Sequence, residues 1–182
     1  MEPYFVGTFE LTIDPKNRIS IPSVVRNDFD ELRAAYASKR SAAMDAEAKD
    51  GENRDDTLFI LPGDRREILA IYEAGYFKVS RLGLPPTQQL SRHVRDWSRF
   101  EAGLTAKLSP DNQGRVLIPD RLMKISKLTR DVALVGAVDH YELWSRADYQ
   151  TFCESKLANY EEGFERTVEE LAPYRKSGVS EK

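Results

Sequence analysis

Two nine-residue phrases constrain this chain more than anything else in it: DPKNRISIP at 14–22 and DNQGRVLIP at 111–119. They stand 97 positions apart, and the same offset pairs Leu11 with Leu108, Arg18 with Arg115, Ile21 with Ile118 and Pro22 with Pro119. A repeat that stays in register over this span points to a duplicated structural unit, so the 182 residues are read as two related halves.

Around the first phrase Phe5, Gly7, Phe9, Leu11 and Ile13 fall on one side of a period-two pattern, and Ile19 and Ile21 continue the apolar set, which is the period of a strand with one buried face. Between them Asp14 opens and Pro15 follows in a type I turn, and Asn17 falls where a left-handed backbone is needed. Gly114 occupies that place in the second copy. Each phrase is therefore expected to form a β-hairpin closed by a bulge, and the residue re-aimed by the bulge is arginine both times, Arg18 and Arg115.

After each phrase the period changes. Pro22 and Pro119 suit the first position of a short helix whose apolar face is Val25, Phe29 and Leu32 in one copy and Leu122, Ile125 and Leu128 in the other. A strand pair follows in each copy, 57–61 with 68–72 and 132–138 with 141–145. A longer helix then closes each half. The first, 87–104, carries Leu90, Val94, Trp97, Phe100 and Leu104; the second runs from Arg146 through Phe152, Cys153, Leu157, Tyr160 and Phe164 to Pro173. Trp97, Trp144 and Cys153 are expected to pack inside, and Leu117 to face outward. The domain plan is a first repeat at 1–84, a connecting helix at 85–104, a second repeat at 105–160, and a helical extension with a disordered tail at 161–182. Residues 34–56, rich in alanine and alternating charge and without a counterpart in the second half, are expected to be an inserted flexible loop.

Composition excludes several functions. A single cysteine, Cys153, and two histidines, His93 and His140, without ligand-like spacing leave no metal site, and no nucleophile with an adjacent base appears. The chain is read as a non-enzyme without cofactor or small-molecule ligand. No apolar run is long enough to span a bilayer, so no membrane partner is expected and the location is read as cytoplasmic. A net charge of −3 argues against a chain coated in positive charge, so any contact with nucleic acid must come from a local patch or from many weak sites added together.

The duplicated Asp-x-x-(Gly/Asn)-Arg-(Ile/Val)-x-Ile-Pro phrase, together with FVGTFELTIDPKNRISIP and LVGAVDHYELWSRADY, resembles the MraZ family of tandem AbrB-like (SpoVT-AbrB) domains over nearly the whole chain. The resemblance implies a β-rich α+β fold of two tandem swapped-hairpin AbrB-like β-barrel units with flanking helices, assembled as a ring-shaped homo-oligomer. It also implies a nucleoid-associated transcriptional regulator, a repressor or activator, that binds repeated elements in double-stranded promoter DNA of a bacterial division and cell wall gene cluster. Carried onto this sequence, the DNA-binding residues are Lys16, Asn17 and Arg18 in the first turn and Gln113 and Arg115 in the second. Asn17 stands where the family has glycine, and asparagine tolerates the left-handed backbone. Gln113 gives the second turn less positive charge than Lys16 gives the first.

Two readings of the arginines stay open at this stage. Asp and Arg four apart across a turn invite a local ion pair, whereas a guanidinium at a hairpin tip can fork onto guanine or a phosphate. Arg121, Lys124, Lys127 and Arg130, recurring every third residue, read as a solvated face or as a phosphate track. The alternative function is an oligomeric protein-interaction scaffold that has lost DNA binding.

Overall fold

The computed structural model describes residues 4–43, 56–77 and 90–175. The chain divides into two compact units, Met1–Arg146 and Ala147–Lys182. Among the described residues the first unit holds all the strands: β1 (Thr8–Thr12), β2 (Arg18–Ser20), β3 (Leu58–Pro62), β4 (Leu69–Glu73), β5 (Ala106–Leu108), β6 (Arg115–Leu117), β7 (Asp131–Gly136) and β8 (Tyr141–Ser145). Its helices include α1 (Ser23–Ala43), α2 (Arg92–Leu104) and α3 (Asp120–Ser126). The fold is mixed α+β and its strand pairs are antiparallel.

The expected hairpins are not formed as such. Each turn closes locally, but the strands on its two sides then part: β1 pairs with β7 and β2 with β6. The second copy does the same, with β5 on β3. The first strand of each copy thus completes the sheet of the other, giving one six-stranded sheet ordered β1-β7-β8-β4-β3-β5 and a two-stranded ribbon of β2 and β6. The duplication is the physical reason: each copy carries a strand edge equivalent to the one its own first strand would cover, and exchange satisfies both edges. The two halves are therefore interlocked rather than separate sheets.

The core lies between this sheet, the ribbon and α1. Val25, Phe29 and Leu32 recur at helical spacing on α1 and are all buried, as are Ile19 and Val116 on the inner face of the ribbon. Ile60, Leu69, Ile71, Val132, Leu134 and Leu143 line the sheet, each worth about 1.5–3 kcal/mol in transfer from water. Phe5, Phe29 and Tyr141 pack ring on ring, with centroids 5.0–5.5 Å apart, tying the N-terminal segment, α1 and β8 together. The Tyr141 hydroxyl donates to Asp28 on α1. Gly136 is where the N-terminal segment passes closest: a Cβ there would stand 2.5 Å from the Val6 nitrogen.

Several expectations change. α1 does not stop near Arg33 but continues to Ala43, ten residues into the segment read as a loop; 44–55 fall outside the described residues. Alanine and lysine in that stretch are good helix formers, which outweighs the lack of a large apolar face. Pro22 and Pro119 precede their helices by one position, and Leu128 lies beyond α3, which ends at left-handed Lys127. α2 spans Arg92–Leu104, and the start read at residue 87 falls outside the described residues. No residue of α2 is buried; Trp97 is 59% exposed and Phe100 56%. An apolar stripe at helical spacing marks a face that packs or that waits for a partner, and periodicity does not tell the two apart. Trp144 does pack inside, at 7% exposed, and Leu117 does face out, at 57%.

The single helix expected from Arg146 onward is two, α4 (Arg146–Leu157) and α5 (Tyr160–Arg175). α5 runs through Pro173 instead of ending there, and 176–182 fall outside the described residues. α4 has no buried residue, and Cys153 is half-buried rather than part of a core.

Candidate nucleic-acid interface

The two turns are near copies of each other in structure as well as sequence. In the first, the Asn17 N–H donates to the Asp14 carbonyl (2.9 Å) and the Asp14 N–H to the Arg18 carbonyl (2.9 Å). In the second, Gly114 donates to Asp111 (2.8 Å) and Asp111 to Arg115 (2.9 Å). This is a type I turn followed by a left-handed residue, with φ of 57° at Asn17 and 72° at Gly114.

Each turn is held from inside by its aspartate. Asp14 Oδ1 accepts from the Lys16 and Arg18 N–H groups (2.8 and 2.9 Å), and Oδ2 accepts from Arg18 Nε and pairs with Nη2 (both 2.7 Å). Asp111 repeats the pattern with the Gln113 and Arg115 N–H groups (2.9 and 3.0 Å), Arg115 Nε (2.9 Å) and Nη2 (2.8 Å). The side-chain hydrogen bond from the arginine, then that from its backbone N–H, hold each carboxyl down to about 2. The ion pair foreseen from the spacing is therefore present in both turns. It engages Nε and Nη2, and among the described residues Nη1 of each arginine has no protein partner.

The turns also close on each other. Ile118 donates to the Asn17 carbonyl (2.8 Å) and Ile21 to the Gly114 carbonyl (2.9 Å), so the left-handed residue of each copy extends the β2/β6 ladder at one end. In that ladder Arg18 stands opposite Leu117 and Ser20 opposite Arg115. Ile19 and Val116 point inward and are buried, which leaves Arg18, Ser20, Arg115 and Leu117 on the outward face. Lys16 and Gln113, at equivalent places in the two turns, are both exposed.

The surroundings of the two turns differ in ways that no local pattern announced. Asn17 Nδ2 donates to Asp120 Oδ1 at 2.5 Å, which fastens the first turn to α3 and sets a carboxylate beside it. At the second turn the neighbour is Arg26 of α1. The run Arg121, Lys124, Lys127 and Arg130 is not a continuous track: Arg121 donates to the carbonyls of Gly103 and Thr105 (2.9 and 3.0 Å), capping α2, and Lys127 terminates α3.

Of the two histidines, His93 lies on the exposed surface of α2 and His140 in the β7–β8 turn. His140 Nδ1 is 2.7 Å from Asp139 Oδ1 and its ring stacks on Tyr72 at 4.6 Å. Burial alone would lower its pKa, but hydrogen bonds that the ring donates to Glu142 and Asp139 raise it above the usual imidazole value. Among the described residues no group of His, Cys, Asp and Glu is placed to hold a metal ion, and no helix is long and apolar enough to cross a membrane.

A family model described as "MraZ protein, putative antitoxin-like" matches residues 102–171. A protein of Carboxydothermus hydrogenoformans named "Transcriptional regulator MraZ" is 32% identical over 168 residues, which is 92% of this chain and 99% of that protein. The chain belongs to the MraZ family. Relatives of the same printed name from Clostridium tetani and Cutibacterium acnes are 28% and 29% identical, over 91% and 84% of this chain and 97% and 89% of their own length. Membership thus extends over both copies of the turn phrase, beyond the second-half segment that the family model matches.

Proposed function

We propose that this chain is a transcriptional regulator that binds double-stranded DNA through the outward face of the β2/β6 ribbon, reading repeated elements in the promoter of a division and cell wall gene cluster as a ring-shaped oligomer. The observation that carries this reading is the placement of Arg18 and Arg115 on one face of a two-stranded antiparallel ribbon. A ribbon of this kind fits a major groove about 12 Å wide, where guanidinium groups reach guanine O6 and N7. The aspartate pairs support binding as well as occupying part of each guanidinium: they fix its plane and leave Nη1 for a phosphate or base, so little rotamer freedom is lost on contact. The printed names of the relatives agree with a regulator.

Assembly follows from charge. Lys16, Arg18 and Arg115 against Asp14 and Asp111 leave one net positive charge on the ribbon and its turns, too little for tight binding by one copy. Several copies on adjacent operator repeats multiply weak contacts into avidity. The uncovered Trp97 and Phe100 on α2 favour association of copies. The same uncovered face is what supports the second reading, a protein-interaction scaffold without DNA binding.

Fluorescence anisotropy of the purified protein on DNA from upstream of its own gene, against a scrambled duplex at two salt concentrations, separates the readings. Specific retention that weakens with salt is expected; equal, negligible binding to both duplexes leaves the scaffold. Light scattering on the same sample should give a particle larger than a dimer, and a monomer at micromolar concentration would remove the ring.

A further inference from the structure

We infer that Arg26, on α1, forms a phosphate-binding site with the second turn and supplies the positive charge that Gln113 lacks. The inference rests on the DNA-binding reading above and assigns a residue that lies outside the repeated phrase.

The 97-residue offset aligns Arg26 with Met123 and Asn17 with Gly114, and the interlocking of the copies brings Arg26 to the second turn and Met123 to the first. At the second turn the guanidinium of Arg26 lies against Gly114: a Cβ on that glycine would meet Arg26 Cζ at 3.0 Å, Nε at 3.1 Å and Nη1 at 3.2 Å. Glycine at 114 thus does two things, entering the left-handed region at φ 72° and leaving the space the guanidinium fills. At the first turn the corresponding neighbour is Met123, which lines the same small hollow as Asp14, Pro15 and Asn17.

Arg26 is exposed, and among the described residues its guanidinium has no hydrogen bond or ion pair. That sets it apart from Arg18 and Arg115, each paired with an aspartate, and from Arg33 further along α1, which is paired with Asp30 and Asp56. A groove of about 360 Å³ runs between α1 and the second turn, with Arg26 on one wall and Asp111 and Asn112 on the other. Its acids are Asp30 and Asp56, which share Arg33, and Asp111, which holds Arg115, so Arg26 brings the groove and the second turn to charge balance without being paired itself. An exposed, unpaired guanidinium next to a turn whose own arginine is half-occupied is suited to a phosphodiester oxygen, which accepts from two N–H groups at once.

Local charge then ranks the two turns differently from the phrase alone. Lys16 and Arg18 at the first are offset by Asp14 and Asp120, and at the second Arg115, Arg26 and Arg33 are balanced by Asp111, Asp30 and Asp56, so Arg26 brings the two turns level. The second turn becomes a full partner in binding.

The test is a salt series of anisotropy titrations on the upstream duplex with the parent, Arg26→Ala and Arg26→Lys, with melting curves to show that the exposed substitutions leave the fold intact. For Arg26→Ala the slope of log K against log salt should fall by about 0.9 per engaged turn, and affinity at low salt about tenfold. Arg26→Lys should retain most of the slope, which a purely structural role would not require. An unchanged slope in Arg26→Ala, while Arg115→Ala weakens binding, overturns this inference and leaves the DNA-binding reading standing. Failure of the parent to bind the duplex overturns both.

Discussion

Arg18 and Arg115, 97 residues apart in the chain, lie two positions out of register across the β2/β6 ladder and project from the same outward face. Two residues of strand is a separation of about 7 Å along the ribbon, close enough for one groove to receive both. The pairing that puts them there is made between the copies, because each turn's left-handed residue accepts the isoleucine N–H of the other. Duplication is thereby converted into a single two-headed surface.

The Asn17–Asp120 hydrogen bond holds a carboxylate beside the first turn, where an approaching phosphate would be repelled. Asp120→Asn keeps an acceptor for Asn17 and removes the charge. It should tighten binding to the upstream duplex about two- to threefold per engaged turn at low salt, equivalent to about 0.5 kcal/mol for an exposed charge. Equal or weaker binding in the anisotropy titration would show that the first turn does not meet the phosphates.

Gly136 has the backbone of Phe5 and Val6 within 2.6 Å of where a Cβ would be, and neither neighbour is a side chain able to swing aside. Its own N–H donates to the Gly7 carbonyl at 2.8 Å. Gly136→Ala must push the N-terminal segment off β7 and disturb the Phe5–Tyr141 stack, at a cost of about 2–3 kcal/mol. Chemical denaturation should show the lower midpoint. A midpoint within experimental scatter of the parent would mean that the segment is not held where it is placed.

Much of this was legible from residues alone, and the boundary has a physical cause. The turns were readable because Asp, Pro, and Asn or Gly act on their own neighbours within four positions, and all of those contacts are found. The Asp–Arg pairs and the outward Leu117 followed for the same reason. Strand partners were not readable: β1 has an equally suitable apolar pattern for β2 or for β7, and the choice is made by long-range burial. Trp97 misled because its spacing is that of a core stripe while its surroundings leave it open. Arg26 and Asp120 were missed because nothing local links either to a turn that lies 88 and 103 positions away, at Gly114 and Asn17.

Acid should release the two turns late. Asp14 and Asp111 have carboxyl groups held at about 2, below their ordinary value of 3.8, so the stability they contribute is present above about pH 4 and is lost as pH falls through 2. Carboxyl carbon chemical shifts followed by NMR from pH 6 downward should show both midpoints near 2. Midpoints near 3.8 would mean that the arginine hydrogen bonds are open in solution, and the guanidinium groups not fixed.

The central claim is that the ribbon face reads DNA, and the most direct measurement is anisotropy of Arg18→Ala and Arg115→Ala on the upstream duplex over a range of salt, with each variant matched to the parent in particle size. Each substitution should cost about 1–3 kcal/mol per engaged subunit where the arginine contacts a base, or lower the salt slope by about 0.9 per lost phosphate contact. With several subunits engaged, specific binding should nearly vanish. Binding as tight as the parent in both variants, at unchanged particle size, would contradict the account and leave Arg18 and Arg115 as turn residues paired only with Asp14 and Asp111.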